Sequence, residues 1–121
     1  METRHPDAGS ATPWLDVAHL EHVCDGDEGL DLDLLLAFLE HAGGQLVELE
    51  SCIAARDIAS MHRLAHSLTG SALAVGATAL AEACRGIEHA PAAPSDVEVI
   101  AFRAVRERTI EAVSLRLDRA A

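Results

Sequence analysis

Between Leu32 and Ile53 the side chains Leu32, Leu35, Leu36, Leu39, Leu46, Leu49 and Ile53 place apolar groups at three- and four-residue intervals. No other feature limits the possible folds of this chain so strongly. Residues at that spacing share one face of an α-helix, whereas a strand repeats every second residue. The stripe predicts a helix from Leu30 to about Ala55, roughly seven turns at 3.6 residues per turn. Its gap at 42–43 falls on Ala42 and Gly43. Gly43-Gly44 is expected to loosen or kink the helix, since each mid-helix glycine costs about 1 kcal/mol relative to alanine. One apolar stripe on so long a helix has to be buried against neighbours.

The rest of the chain supplies those neighbours. Asp57 reads as the N-cap of a helix whose core stripe is Met61, Leu64, Leu68, Ala72 and Val75, with Gly76 at its end. A helix from Ala77 to about His89 turns Leu80, Cys84 and Ile87 inward, and Pro91-Ala-Ala-Pro94 forms a loop. Ser95-Asp-Val-Glu98 is a capping box that opens a last helix running to about Asp118, with a broader apolar pattern. Near the start, Thr12-Pro13 or Asp16 opens a short helix that ends around Asp25-Gly26-Asp27. Aromatic residues are limited to Trp14, Phe38 and Phe102, which is poor material for a sheet. The expected fold is all-α, an antiparallel four-helix bundle with a short additional N-terminal helix. Residues 1–11 read as a flexible N-terminal segment and 12–121 as one domain.

Charge and cysteine usage narrow the function classes. The formal net charge is −11, so nucleic acid and anionic membrane are poor partners and a protein partner is expected. The longest uninterrupted apolar run, Leu34 to Leu39, is far too short to span a membrane, and METRHPDAGS lacks the apolar stretch of a signal peptide. Cys24, Cys52 and Cys84 form no CxxC pair and leave an odd one over, which suits reduced thiols buried in a cytoplasmic protein. A monomer is expected.

The segment Arg63 to Ala77 carries the chemistry. With 61, 64, 68, 72 and 75 inward, His66 falls on the opposite side, surrounded by His62, Arg63, Thr69, Gly70 and Leu73. Gly70 sits mid-helix where alanine would be favoured. Leu73 is apolar where water is expected. A histidine beside bare backbone and an exposed leucine forms a docking surface, with no side chain at position 70 to obstruct a partner. His62 and His66 (i, i+4) and His19 and His22 (i, i+3) have spacings that metals use. There is no HExxH and no cysteine at ligand spacing, so neither metal nor other cofactor is expected.

His66-x-Leu68-x-Gly70, then Ser71-Ala72, Gly76-Ala77, Leu80, Cys84 and Ile87-Glu88, resembles the signature H-x-L-K-G-x-x-x-x-x-G-A of histidine-phosphotransfer (Hpt) domains. Phe38-Leu39-Glu40, the turn Ala54-Ala55-Arg56-Asp57 and Asp25-Gly26-Asp27 extend the resemblance. It covers residues 14 to 90 well and the last helix by pattern only. The resemblance implies a phosphorelay intermediate. His66 would accept a phosphoryl group on Nε2 from the aspartyl phosphate of a receiver domain, or from a hybrid kinase, and pass it to another receiver. Such a module is a carrier and not an enzyme, with Mg²⁺ and catalysis supplied by the receiver.

Glu88 falls where the family often has a glutamine or glutamate that bonds the other ring nitrogen, keeping the proton on Nδ1. Thr69 stands where lysine is usual, and Arg63 or Arg85 would then supply the missing charge. His62, Gly70, Leu73 and Gly76 are the expected docking residues. The main alternative is a helical adaptor or inhibitor that binds a receiver or kinase without carrying phosphate. A metal-storing bundle is the third reading.

Overall fold

The helix starts follow from where the first free backbone N–H groups find acceptors. A computed structural model describes residues 12–120, so the segment 1–11 lies outside the described residues. Helix α1 (Val17–Val23) opens on Asp16, whose Oδ1 accepts from His19 N at 3.1 Å. Asp16, and not Thr12-Pro13, is thus the cap. Asp27 and Asp57 do the same for α2 (Glu28–Ala55) and α3 (Ile58–Val75), accepting from Leu30 N at 3.0 Å and Ser60 N at 3.2 Å. Helix α4 (Thr78–Glu88) has no side-chain cap. Instead the Pro13 carbonyl accepts from Ala79 N at 2.8 Å and from Thr78 Oγ1 at 3.1 Å. Before α5 (Asp96–Ala120), Ser95 Oγ accepts from Glu98 N and the Glu98 carboxylate accepts from Ser95 N, as the capping box requires. The described residues contain no strand.

Helices α2, α3, α4 and α5 pack as a closed ring, each against the next and α5 back against α2, while α1 lies on α2. The two-residue links Arg56-Asp57 and Gly76-Ala77 are too short for anything but antiparallel neighbours. The all-α bundle with its short first helix is the architecture expected.

Burial corrects the detail. In α2 the inward line is Asp31, Leu35, Phe38, Ala42, Leu46, Leu49 and Ile53, while Leu36 is 49% exposed and Leu32 and Leu39 are only partly covered. The apolar stripe is wider than the strip α3 and α5 cover. No break occurs at Gly43-Gly44: α2 is continuous, held on both sides of the pair by buried Ala42 and Leu46. In α3, Ala65 and Thr69 join Met61, Leu68, Ala72 and Val75 inside, while Leu64 is only partly buried. Because α4 packs along one flank of α3, the buried arc turns toward that flank.

Ion pairs tie α5 to α2. Arg116 donates to the buried Asp31 carboxylate at 2.8 Å, and Glu50 accepts from Arg103 at 2.7 Å and from Arg106. Phe102, Thr109 and Val113 form the buried face of α5.

Gly76 is buried and structural, which corrects its expected place on the docking surface. It ends α3 in the left-handed conformation (φ 80°), and its carbonyl accepts from Asp16 N at 2.9 Å. A Cβ there would stand 2.9 Å from Asp16 O. Gly76→Ala is expected to lower stability by about 1–3 kcal/mol, from left-handed strain plus that clash. The urea midpoint measures it, and an unchanged midpoint would contradict this packing.

Candidate functional site

Helix α3 leaves Arg63, His66, Ser67, Gly70, Leu73 and Ala74 exposed. Positions 63, 66, 70 and 73 step by three or four, so they form a single stripe. The His66 side chain is 78% exposed. One turn further on, a Cβ at Gly70 would meet nothing within 4 Å, and Leu73 is 43% exposed. Beside Ala74 a groove of about 170 Å³, lined by Leu34, Ala37, His41 and Ser71 among others, extends this small-residue surface onto α2.

The ring of His66 is gripped on one side only. Glu88, in the last turn of α4, brings Oε2 to 2.6 Å from Nδ1. The Glu88 side chain is itself only 20% exposed, so its carboxylate is held in a partly covered position. A carboxylate accepts, hence a proton resides on Nδ1, and in the neutral ring Nε2 then keeps its lone pair. An exposed, neutral imidazole with that tautomer is a nucleophile at Nε2.

The other expected site residues are distributed differently. Thr69 is buried (7% exposed) and its hydroxyl donates to Ala65 O at 2.8 Å, so it offers nothing to a group on His66. The inward turn of α3 toward α4 is the cause. Arg63 is exposed, but its Nη2 donates to Ser60 Oγ at 3.0 Å. Helical side chains lean toward the N-terminus, which carries Arg63 back along α3, away from His66. There it joins the Ser60 hydroxyl and backbone N–H, the larger influences, in holding the Asp57 carboxyl below its ordinary range. Arg85 leans the same way and pairs with Glu82 at 2.5 Å. Neither guanidinium bonds a group at His66.

His62 is half-buried, and its Nε2 lies 2.6 Å from Ala90 O. Expected as a docking residue, it is fastened to the turn after α4. Local sequence gave no sign of Ala90, because a backbone carbonyl has no residue signature. The bond from Gln45 Nε2 to Ser67 Oγ at 3.2 Å, bridging α2 to the exposed stripe, also carried no sequence signal.

Among the described residues no three His, Cys, Asp or Glu side chains gather as a metal-binding group, and no helix is long and apolar enough to cross a membrane. Cys24 and Cys84 are buried, with burial pushing the Cys84 thiol up to about 12, while Cys52 is partly exposed.

A family model described as Hpt domain matches residues 33–120, well over half of the chain. The chain belongs to the Hpt domain family. Hpt domains transfer phosphoryl groups in two-component relays, as carriers rather than catalysts, and interact there with receiver domains and kinases. Comparison with curated proteins and with solved structures gave no match. The match runs through α5, where the sequence resemblance rested on pattern alone, and leaves α1 outside it. In this Hpt domain the histidine of the H-x-L-x-G segment is His66, whose side chain is exposed on the α3 stripe.

Proposed function

We propose that His66 is the phosphoacceptor of this Hpt domain, taking a phosphoryl group from a receiver aspartyl phosphate or hybrid kinase and relaying it to another receiver. The observation that carries the reading is the 2.6 Å contact of Glu88 Oε2 with His66 Nδ1, which puts the neutral ring's proton on Nδ1 and its lone pair on Nε2, on an exposed side chain. In the transfer, the Nε2 lone pair attacks phosphorus and the bond to the aspartate oxygen breaks. The carboxylate departs with the bonding pair. The ring, now bearing Nδ1–H and an N–P bond, carries positive charge that the Glu88 carboxylate offsets. Transfer onward is the reverse of this step on a second receiver. The receiver supplies Mg²⁺ and the groups that stabilise the moving phosphoryl charge. The carrier acts as a cytoplasmic monomer.

Incubation of the chain with phosphorylated receiver domains tests the reading. Acid-labile, alkali-stable phosphate should appear on it. Thr69, neutral and turned inward where relatives usually have lysine, favours the second reading, a phosphate-free adaptor. Binding to a receiver without any phosphate uptake would decide for that adaptor.

Docking should depend on Gly70. Open space surrounds it within this chain, so any cost of a side chain there arises from the partner. Gly70→Gln is expected to cut transfer strongly, by raising the receiver concentration needed, while stabilising the helix by about 1 kcal/mol. Kinetics across a receiver titration, with a urea melt alongside, check both halves. Unchanged transfer would remove the steric argument.

A further inference from the structure

His62 precedes His66 by one turn of α3, on the flank that meets the end of α4. A carbonyl oxygen only accepts, so the 2.6 Å contact with Ala90 O requires a proton on His62 Nε2. Both the Nε2–H tautomer and the imidazolium satisfy that requirement. The bond therefore survives a change in the charge of His62.

Ala90 lies two residues beyond Glu88, in the turn where α4 stops. That end is not sealed by a left-handed cap. The cap residue His89 has φ −101° and ψ 4°, not the left-handed conformation that seals many helices. The bonds there are local: His89 N to Arg85 O at 3.1 Å and Ala90 N to Ile87 O at 3.2 Å, with His89 Nδ1 donating to Arg85 O at 3.0 Å. Pro91 follows and has no N–H to continue the helix. All of these bonds lie within the end of α4 itself. Among the described residues, the hydrogen bonds from α3 to the stretch 85–95 are His62 to Ala90 and His66 to Glu88. Helix ends fray unless something outside the helix holds them. Ile87 in the core anchors α4 up to Glu88, and beyond it the hydrogen bond from outside the helix comes from His62 on α3, one turn before His66.

We propose that His62 is a positioning residue for phosphotransfer: by holding Ala90 O it fixes the end of α4, so that Glu88 stays on Nδ1 of His66 and Nε2 stays unprotonated. The inference rests on the phosphocarrier reading of His66. It gives His62 a role inside the site, distinct from contact with the partner. When the end of α4 loosens, Glu88 leaves Nδ1, and the free imidazole moves its proton to Nε2. Nε2 then no longer offers a lone pair to the phosphoryl group, while the bundle and docking stripe remain intact.

The test compares His62→Leu, His62→Asn and His62→Gln in the full chain. Leucine keeps bulk without a donor. The asparagine amide is too short to reach Ala90 O. The glutamine amide nitrogen takes nearly the place of Nε2. Two-bond ¹H–¹⁵N correlation spectra of the ring report the His66 tautomer, and a receiver titration separates the saturating transfer rate from the receiver concentration at half-maximum.

In His62→Leu and His62→Asn the His66 proton should shift from Nδ1 toward Nε2. The saturating rate should fall about tenfold, the lower end of what outer-shell partners of a working histidine supply. The half-maximal receiver concentration should stay unchanged, and His62→Gln should restore both tautomer and rate. If leucine prevents folding, the asparagine variant carries the same comparison. A change in half-maximal concentration alone would return His62 to the docking surface and overturn the proposal. So would an unaltered His66 tautomer in the leucine and asparagine variants, whatever happens to their melting temperature. Failure of the wild-type chain to take up phosphate would instead overturn the phosphocarrier reading, and the tautomer spectra would still decide whether His62 positions Glu88.

Discussion

His66→Gln is expected to abolish acid-labile phosphate on the chain while leaving the bundle folded. The ring is 78% exposed and its bonded partner is Glu88. Glutamine has no ring nitrogen to phosphorylate, yet its amide can still donate to the Glu88 carboxylate, so no partly buried charge is stranded. Surface substitutions of this kind change stability by about 0.5 kcal/mol or less. In a domain of this size that is a melting shift of about 2 °C or less. Function is lost completely and stability hardly moves, which makes the substitution decisive. Phosphate uptake from a phosphorylated receiver, read after acid and alkali treatment, gives the answer. The neighbouring histidine supplies the control: its Nε2 is bonded to Ala90 O, so His62→Gln should still take up phosphate. Persistent labelling of the His66 variant, or loss of labelling in the His62 variant alone, would place the phosphoacceptor elsewhere.

What the sequence revealed of this site, and what it hid, divides along a physical line. The helices were legible because apolar spacing and cap residues are local: Asp57, Gly76 and the Ser95–Glu98 box each act within a few residues of themselves. His66 was legible because it lies opposite the core stripe of its helix, and a small error in the position of that stripe still leaves it outside. Thr69 lies inside, and Leu64 packs against the core only partly buried, because both sit at the edges of the stripe. There a rotation of α3 by a fraction of a residue step decides burial, and the packing of α4 sets that rotation. Gly76 was recognised as the helix end but not as buried, since only the fold brings Asp16 against it. The Asp31–Arg116 pair and the His62–Ala90 bond join residues far apart in sequence, and no local rule announces such partners. Glu88 sits between these cases: its place in a motif suggested a contact with His66, and the antiparallel course of α4 beside α3 is what makes a contact at 22 residues' separation possible.

Glu88→Ala should reduce the rate of phosphoryl uptake by about 10- to 100-fold, in line with the loss of a partner that orients a working histidine. The carboxylate contributes in three ways, and alanine removes them together. It keeps the proton on Nδ1, it fixes the ring plane, and it lies 2.6 Å from the nitrogen next to which positive charge develops as the N–P bond forms. The exposure of the ring keeps the effect at this scale, because water competes for Nδ1 and screens the charge. Glu88→Gln separates the contributions. An amide oxygen still accepts from Nδ1–H, so tautomer and orientation are retained, whereas the negative charge is gone. Its rate should therefore fall between those of wild type and Glu88→Ala. The equilibrium between phosphorylated receiver and phosphorylated His66 should move toward the receiver in both variants, further for alanine. Docking is untouched, since Glu88 is mostly covered, so the receiver concentration at half-maximal rate should not change. Single-turnover transfer across a receiver titration measures rate and docking together. If Glu88→Ala transfers at the wild-type rate, an exposed imidazole suffices by itself and the contact on Nδ1 has no part in the chemistry.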